Sequence, residues 1–212
     1  MRKTLALVAA LSGLAAAAPA ADLFKVAVDG GYTTLNMADV NDALAKAANS
    51  TPIKSGWFIG AEAGMSLMPF LELGPRVEYL SSNKYEVKNG AGDVQDSGVA
   101  SLTSLMVGAN VKIDLPLTGL GLGIGAFGGY GMANATSDGP ASSPKATKMT
   151  GGAFVGELEA KLGYKIFPLT SFDLMAGMRL ANVGKLKDDA GKDTVVFDYT
   201  GLNLGAGLTI GF

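Results

Sequence analysis

Eight stretches of this chain alternate apolar and polar residues with a period of two, which is the pattern of β-strands that present two different faces. The stretches cover residues 23–32, 56–67, 70–80, 100–113, 119–132, 151–166, 172–182 and 200–212. In the last stretch, aliphatic and aromatic side chains occupy one face up to Phe212, whereas glycine, asparagine and threonine occupy the other. The repetition predicts an all-β protein whose strands each have one apolar face.

The second face of these strands decides between two classes of barrel. It carries charged residues between many glycines, namely Glu62, Glu72, Arg76, Glu78, Glu157, Glu159, Lys161 and Arg179. A small soluble protein, such as a lipocalin-like barrel, could not bury that set as its core without a large cost in free energy. A closed transmembrane barrel instead turns its apolar residues towards lipid and its charges towards the lumen, and closure removes unpaired strand edges. We therefore predict an eight-stranded antiparallel transmembrane β-barrel.

The connections between the stretches alternate in length. Short turns at 67–70, 114–118 and 167–171 contain Pro69, Pro116 and Pro168, and proline is favoured in turns. Long polar connections fall near 33–55, 81–99, 133–149 and 184–195. Membrane barrels place long loops outside the cell and short turns in the periplasm. An even number of strands then leaves both chain ends on the periplasmic side.

The first residues have the features of a secretory signal peptide. Arg2 and Lys3 precede an apolar run over residues 5–17, and Ala18-Pro19-Ala20 is a small-residue cleavage pattern. The run is shorter than the ~20 residues of a membrane-spanning helix, which disfavours the alternative of an uncleaved anchor. We expect cleavage after Ala20, with residues 1–20 as the signal peptide and 21–212 as the barrel.

The composition excludes several classes of protein. Hydrophobic residues make up 48% and charged residues 17% of the chain, so it is not a disordered protein. The 17 basic and 19 acidic residues leave no surplus of positive charge for binding nucleic acid. Cysteine and histidine are absent, which removes disulfides, thiolate metal sites and the commonest general base.

The C-terminal strand carries a resemblance to a known family. Leu208, Ile210 and Phe212 follow one another at two-residue steps, and residues 71–80 read LELGPRVEYL. Together with the eight stretches, these features resemble small bacterial outer-membrane barrels of the OmpA/OmpX type. The resemblance implies an outer-membrane location, contact with outer-membrane lipid and lipopolysaccharide, and recognition of the terminal strand by the barrel-assembly machinery. We expect a monomer.

Catalysis is disfavoured. The enzymes known among outer-membrane barrels of this size use histidine, which this chain lacks. The segment GLGLGIGAFGGYG has a GxGxxG-like spacing, but no helix follows it, as a dinucleotide site would require. We expect no catalytic residue, no cofactor and no metal site.

The inward charges have two interpretations. The tight turns place Glu62 opposite or diagonal to Arg76, and Glu157 or Glu159 near Arg179, within the reach of cross-strand pairs. Because an eight-stranded barrel is just wide enough for side chains to fill, paired charges there form a closed structural core. The alternative is a narrow or gated pore lined by the same charges.

The first long loop contains a predicted helix over residues 36–49. Met37, Val40 and Leu44 recur at helical spacing, and Asn36 is positioned to cap the N-terminus. The helix either orders an extracellular loop or folds back against the glycine-rich faces of 119–132 and 200–212 and plugs the lumen. Barrel curvature and room for Phe127 are two further reasons for glycine at those positions.

Three classes of function remain open on the sequence. A structural or surface-interaction barrel comes first, a small pore or carrier second, and an enzyme third. The loop at 185–193 alternates lysines and aspartates, which are either solvated, in contact with lipopolysaccharide phosphates, or weak Ca²⁺ ligands.

Overall fold

The computed structural model describes residues 23–46, 50–89, 91–115, 119–139 and 147–212. They form the strands β1 (Phe24–Thr34), β2 (Ser55–Met68), β3 (Leu71–Ser82), β4 (Tyr85–Lys88), β5 (Val94–Asp114), β6 (Leu120–Ser137), β7 (Thr147–Phe167), β8 (Thr170–Leu180), β9 (Asn182–Asp188), β10 (Asp193–Asp198) and β11 (Gly201–Gly211), and the helix α1 (Ala38–Ala45). The predicted signal peptide and Pro116 lie outside the described residues. No helix in the described part is long and apolar enough to cross a bilayer.

Eight of these strands form a closed antiparallel ring. The order is β1-β2-β3-β5-β6-β7-β8-β11, and β11 returns to β1 with partners from Lys25↔Gly211 to Thr33↔Asn203. Closure pairs every strand of the ring on both sides, as a barrel in lipid requires. The ring strands coincide with the eight alternating stretches of the sequence, so the predicted barrel is confirmed.

The outer surface of the ring is apolar. Outward side chains such as Ile124 and Leu105 are 69% and 60% exposed in the isolated chain. Exposed aromatic residues form two belts, an upper one of Tyr32, Trp57, Tyr79, Tyr130 and Phe154 and a lower one of Phe24, Tyr164, Phe172 and Phe212. At ~3.4 Å per residue and a tilt of ~40°, the spacings from Phe24 to Tyr32 and from Phe154 to Tyr164 place the belts about 21–26 Å apart along the barrel axis. These dimensions fit a bilayer with an aromatic belt at each interface.

The two ends of the barrel differ. The turn end carries both chain ends and the β2–β3, β5–β6 and β7–β8 turns, and the loop end carries the long connections. At the loop end, β5 and β7 reach 21 residues each, and β4, β9 and β10 extend the sheet beyond the upper belt. The sequence predicted these segments as loops. In the extension of β6, the buried positions are the small residues Ala133 and Ala135. β9 and β10 each bury only one large apolar side chain, Leu186 and Phe197, so neither shows an extended alternation.

The helix of the first loop is shorter than predicted. It spans residues 38–45 rather than 36–49, and residues 47–49 are outside the described part. Met37, not Asn36, occupies the N-cap position, and no side chain caps the helix. The Asn36 side chain instead donates a hydrogen bond of 2.9 Å to Asp198, the last residue of β10. The predicted cap is therefore wrong, because Asn36 is recruited by another strand.

The first loop joins the two edges of the sheet extension. On one side, α1 lies against β10. On the other side, Ser50 forms a bridge with Val87 of β4, and the Thr51 amide donates to the Glu86 carbonyl at 2.8 Å. Asn41 holds the two halves of the loop together, because its side chain accepts from the Ile53 amide at 2.7 Å and donates to the Ile53 carbonyl at 2.8 Å.

Candidate lumen site

The strand register brings the inward charges of neighbouring strands together. Glu62 on β2 is directly opposite Arg76 on β3, and Glu157 on β7 is directly opposite Arg179 on β8. Both registers were predicted from the tight turns and are confirmed. Inward positions alternate with the apolar outward ones, so these side chains meet inside the ring.

Arg76 is the centre of the charged layer. Its guanidinium donates two hydrogen bonds to Asp29, of 2.8 and 2.9 Å, and one of 3.3 Å to Glu78. Glu62, Glu157 and Glu159 each place an oxygen 3.6–3.9 Å from the same guanidinium. The side chain of Arg76 is fully buried, and the carboxylates around it compensate the loss of solvation.

Arg179 and Lys161 extend this layer across the lumen. Arg179 donates to Glu78 and lies 4.0 Å from Glu157, whose other oxygen accepts a hydrogen bond of 2.8 Å from Asn203. Lys161 lies 2.9 Å from Glu62 and 2.7 Å from Glu159. All the predicted lumen residues except Glu72 therefore belong to one connected cluster.

Glu72 lies nearer the turn end, where Lys25 is its partner. Asp29 of β1 also points inward and is buried, but it was not among the predicted lumen charges. With Asp29 included, five carboxylates and three cationic groups share the central layer, an acidic excess of two. The alternation of apolar and polar residues around Asp29 indicates that its side chain points inward.

An apolar core fills the lumen above the charged layer, on the side of the loop end. Phe127 and Phe58 begin it, and their rings lie 5.6 Å from the Arg76 and 5.9 Å from the Arg179 guanidinium carbon. Further up, the interior is filled by buried side chains of both barrel and loops, among them Ile53, Leu80, Leu102, Met106, Val155, Leu186, Phe197 and Tyr199. The sequence indicates this core through the apolar residues at inward positions of the strands, and the sequence analysis missed this signal.

Tyr199 spans this core. Its hydroxyl donates a hydrogen bond of 3.1 Å to the Ser101 carbonyl on β5, and its ring stacks at 6.4 Å on Phe197. Burial raises the pKa of Tyr199, so its hydroxyl stays protonated and keeps its role as a donor. The contact links the segment before β11 to the far wall.

The candidate plug residues belong to the upper part of the apolar core. Met37 and Val40 are 1% and 5% exposed, and Leu44 is partly buried against the same cluster. The helix does not lie on the glycine-rich strands as one hypothesis expected. The space next to Gly125 is taken by Asn110 and Glu159, and that next to Gly131 by Val155 and Leu102, whereas Gly123 lines a cavity.

A cavity opens below the charged layer, at the turn end. It is open to solvent and offers about 50 Å³ to the centres of water molecules, and its lining includes Lys25, Glu72, Asn110, Lys112, Lys161 and Asp173. Lys161 and Asn110 form its inner end, where both side chains contact Glu62. The charged layer is thus reached from the turn end, whereas the apolar core covers its other side.

The terminal residues Leu208, Ile210 and Phe212 point outward at the lower belt, 44–67% exposed. The Phe212 amide donates to the Phe24 carbonyl at 2.8 Å, and the Leu23 amide donates to the Phe212 carbonyl at 2.9 Å. In the described part of the chain, no group of three or more acidic side chains is arranged to hold a metal ion.

Comparison with known proteins agrees with this architecture. Neisserial surface protein A superposes with a TM-score of 0.50 at 18% identity, over 89% of this chain and 97% of that one. A major outer membrane protein from Thermus thermophilus gives a TM-score of 0.51 at 16% identity, over 89% and 99%. At such identities the two structures share the fold alone. No curated protein matches the sequence.

The sequence itself identifies the family. A model of the family described as "Outer membrane protein beta-barrel domain" matches residues 6–209. The match extends over nearly all of the barrel and agrees with its closed ring, its apolar exterior and its two aromatic belts. The chain therefore belongs to the outer-membrane β-barrel family of the OmpA/OmpX type, whose members lie in the bacterial outer membrane.

Proposed function

We propose that this protein is a monomeric outer-membrane barrel with a sealed lumen, which acts in membrane structure or surface interaction rather than in solute passage. The observation that carries the proposal is the apolar core in the extracellular half of the lumen. The loop end is extracellular and the turn end periplasmic in this proposal, following the rule for loop lengths. Outer-membrane lipid and lipopolysaccharide surround the barrel, and the assembly machinery recognises β11 through Leu208, Ile210 and Phe212.

An ion crossing this lumen would meet two barriers in series. The first is the charged layer, in which Arg76 and Arg179 are fully buried between carboxylates. The second is the apolar core, in which Phe58, Met106 and Phe127 are at most 5% exposed. Transfer of an ion into such a core carries a large desolvation cost. An eight-stranded barrel has no spare width for a water-filled path around it.

A narrow or gated pore is the second candidate. It is favoured by the water-accessible cavity at the periplasmic end and by buried polar atoms without hydrogen-bond partners, such as Arg179 Nη1 and Glu157 Oε2. Such atoms are normally satisfied by water. In this alternative the first-loop helix within 36–49 acts as the plug, and its displacement opens the path.

Single-channel recording separates the two candidates. Residues 21–212 are refolded into a planar bilayer beside a variant that lacks 36–49 and a control, Asp42→Ala, on the exposed face of the helix. We expect no conductance from any of them, because Phe58, Phe127 and the charged layer all stay in place when the helix is removed. Steady conductance from the full chain overturns the sealed lumen. Conductance from the deletion variant alone supports the plugged pore.

A further variant tests which layer is the seal. Phe58→Gly combined with Phe127→Gly removes both rings that adjoin the charged layer. Folding is verified by the resistance of the barrel to detergent without heating. We expect brief openings in this variant only, since water then reaches the buried arginines from both sides. Continued silence would assign the seal to the ion-pair layer itself.

A further inference from the structure

Three exposed lysines lie in a column on the outer surface of the barrel, just past the upper aromatic belt. Lys148 belongs to β7, and Lys185 and Lys187 belong to β9. Thr150 of β7 is directly opposite Lys187, so Lys187 and Lys148 share the outward face. Lys185 is two residues from Lys187 on the same strand and therefore also points outward.

Phe154 gives the height of the column relative to the membrane. It lies on the same face of β7 in the upper belt and is 71% exposed. Lys185, Lys187 and Lys148 lie at levels two, four and six residues above it. At ~3.4 Å per residue and a tilt of ~40°, these levels are about 5, 10 and 16 Å above the belt. The headgroup layer outside the hydrocarbon core is ~5–8 Å thick, so the backbone of Lys185 lies inside it, and Lys187 and Lys148 continue the column beyond it.

An aromatic platform lies directly below the lysines. Tyr130 of β6 is opposite Phe154 and is 60% exposed. Gly152 lies between this pair and the column, and a Cβ there would be 2.0 Å from the Tyr130 hydroxyl oxygen. The absence of a side chain at Gly152 thus lets the Tyr130 ring lie flat along the wall. Aromatic rings of this kind mark the boundary between acyl chains and headgroups.

The lysines of the column form no ion pair within 4.0 Å with an acidic group among the described residues. The Asp188 carboxylate accepts hydrogen bonds from the Ala190 and Lys192 amides at 3.0 and 2.8 Å. Asp193 of β10 is directly opposite Lys187 and is therefore within cross-strand reach of it. Lys148 and Lys185 have no such neighbour directly opposite them in the described strands, so their ammonium groups are available to an external anion.

We propose that this column binds the phosphate groups of lipid headgroups in the outer leaflet. Three ammonium groups stacked above an aromatic platform match a lipid whose acyl chains contact the barrel and whose phosphates lie at the interface. The inference requires the outer-membrane placement and is independent of whether the lumen conducts. Lys46, Lys54 and Lys84 are also exposed at the loop end but belong to other elements, and they provide a charge-matched control.

Binding of lipid A to the refolded chain in neutral detergent micelles tests the proposal. The proteins compared are the unmodified chain, the triple variant Lys148→Gln/Lys185→Gln/Lys187→Gln and the control triple variant Lys46→Gln/Lys54→Gln/Lys84→Gln. Each is titrated with lipid A and with its dephosphorylated form, and retained lipid is counted by native mass spectrometry. Resistance to unheated detergent verifies that every variant is folded.

A lysine near an anionic headgroup contributes about a fivefold change in affinity, so the column variant should bind lipid A roughly 10- to 100-fold more weakly. The control variant should change by less than about twofold, and dephosphorylated lipid A should bind all three proteins equally. Equal loss in both triple variants would mean attraction by net charge and overturn the proposal. Binding that is insensitive to the phosphates in the unmodified chain would overturn it as well, even if a variant failed to fold.

Discussion

Asp29 and Arg76 form a two-point ion pair inside the barrel, although one strand separates them. Asp29 lies on β1 and Arg76 on β3, and the intervening residue of β2 is Gly60. A Cβ at Gly60 would be 2.7 Å from Asp29 Oδ1 and 3.1 Å from Arg76 Nη2. The pair can therefore close over β2 only because this position has no side chain.

Replacing Gly60 with alanine should weaken the pair. The added methyl group displaces Asp29 from the guanidinium, and the loss of a charge-assisted hydrogen bond is expected to lower the free energy of unfolding by about 1–3 kcal/mol. Gly64→Ala is the matched control on the same face of β2, where the nearest atom to a new Cβ is 3.8 Å away. Urea titration of the barrel in lipid vesicles measures both. An equal loss in the two variants would contradict the explanation.

Removal of the central charge should be more severe. Arg76→Gln leaves Asp29 and four glutamates without their shared cation, and breaking a buried pair in this way costs roughly 3–5 kcal/mol. Lys25→Gln, whose side chain is 17% exposed at the periplasmic mouth, should cost about 1 kcal/mol or less. The same urea titrations give the comparison. If Arg76→Gln is as stable as Lys25→Gln, the central charged layer does not stabilise the barrel.

The apolar core beyond the membrane should contribute as much as a soluble core. Val155 is fully buried, and Val155→Ala is expected to lower the free energy of unfolding by about 2 kcal/mol through lost contacts and a residual cavity. Val195 on β10 is 36% exposed, so Val195→Ala should stay within about 0.5 kcal/mol. Thermal unfolding in neutral micelles distinguishes them. Similar effects would indicate that the upper core is loosely packed.

The first loop should open when its internal link is removed. Asn41→Ala deletes both hydrogen bonds to Ile53 and is expected to raise amide exchange in residues 38–45 about tenfold, which corresponds to ~1.4 kcal/mol of local stability. Exchange in β1 and β11 should not change. Asp42→Ala, one residue along but exposed, provides the control. Faster exchange throughout the ring would mean that the first loop stabilises the whole barrel and not only the loop end around α1 and β10.

Phe212 should matter for assembly rather than for stability. Its side chain is 67% exposed at the lower belt, and its backbone bonds to Phe24 do not need the ring. Phe212→Ala is expected to reduce the amount of barrel in the outer membrane several-fold in cells while refolding in vesicles is preserved. Leu202→Ala, equally outward on β11, is the control. Normal assembly of Phe212→Ala would contradict the proposal that the assembly machinery recognises the terminal strand through Phe212.

The sequence predicts the ring well because one face of every strand is apolar. The alternation places Ile59 outward and Glu62 inward, and the turn at Pro69 then determines the register that pairs Glu62 with Arg76. Beyond the membrane the same rule fails. There the outer face meets water. β9 and β10 are short strands that each bury a single large apolar side chain, Leu186 and Phe197, so their alternation is too brief to distinguish them from loops.

The sequence could not locate contacts between residues that are not on neighbouring strands. Asp29 and Arg76 are 47 residues apart, and β2 lies between their strands. The same limit applies to the helix, because Asn36 bonds Asp198, 162 residues away, instead of capping α1. Local spacing predicts that a helix exists but does not say which distant strand it contacts.

The contact between α1 and β10 also sets the order in which the protein can be completed. At least 148 residues separate these elements, so the outer cap cannot form until the first and the last extracellular segments have both crossed the membrane. Until then, Met37, Val40 and Phe197 remain uncovered at the cell surface. Long-range contacts of this kind form slowly because loop closure precedes the gain from packing. The packing of α1 against β10 therefore forms only after the whole chain has been inserted.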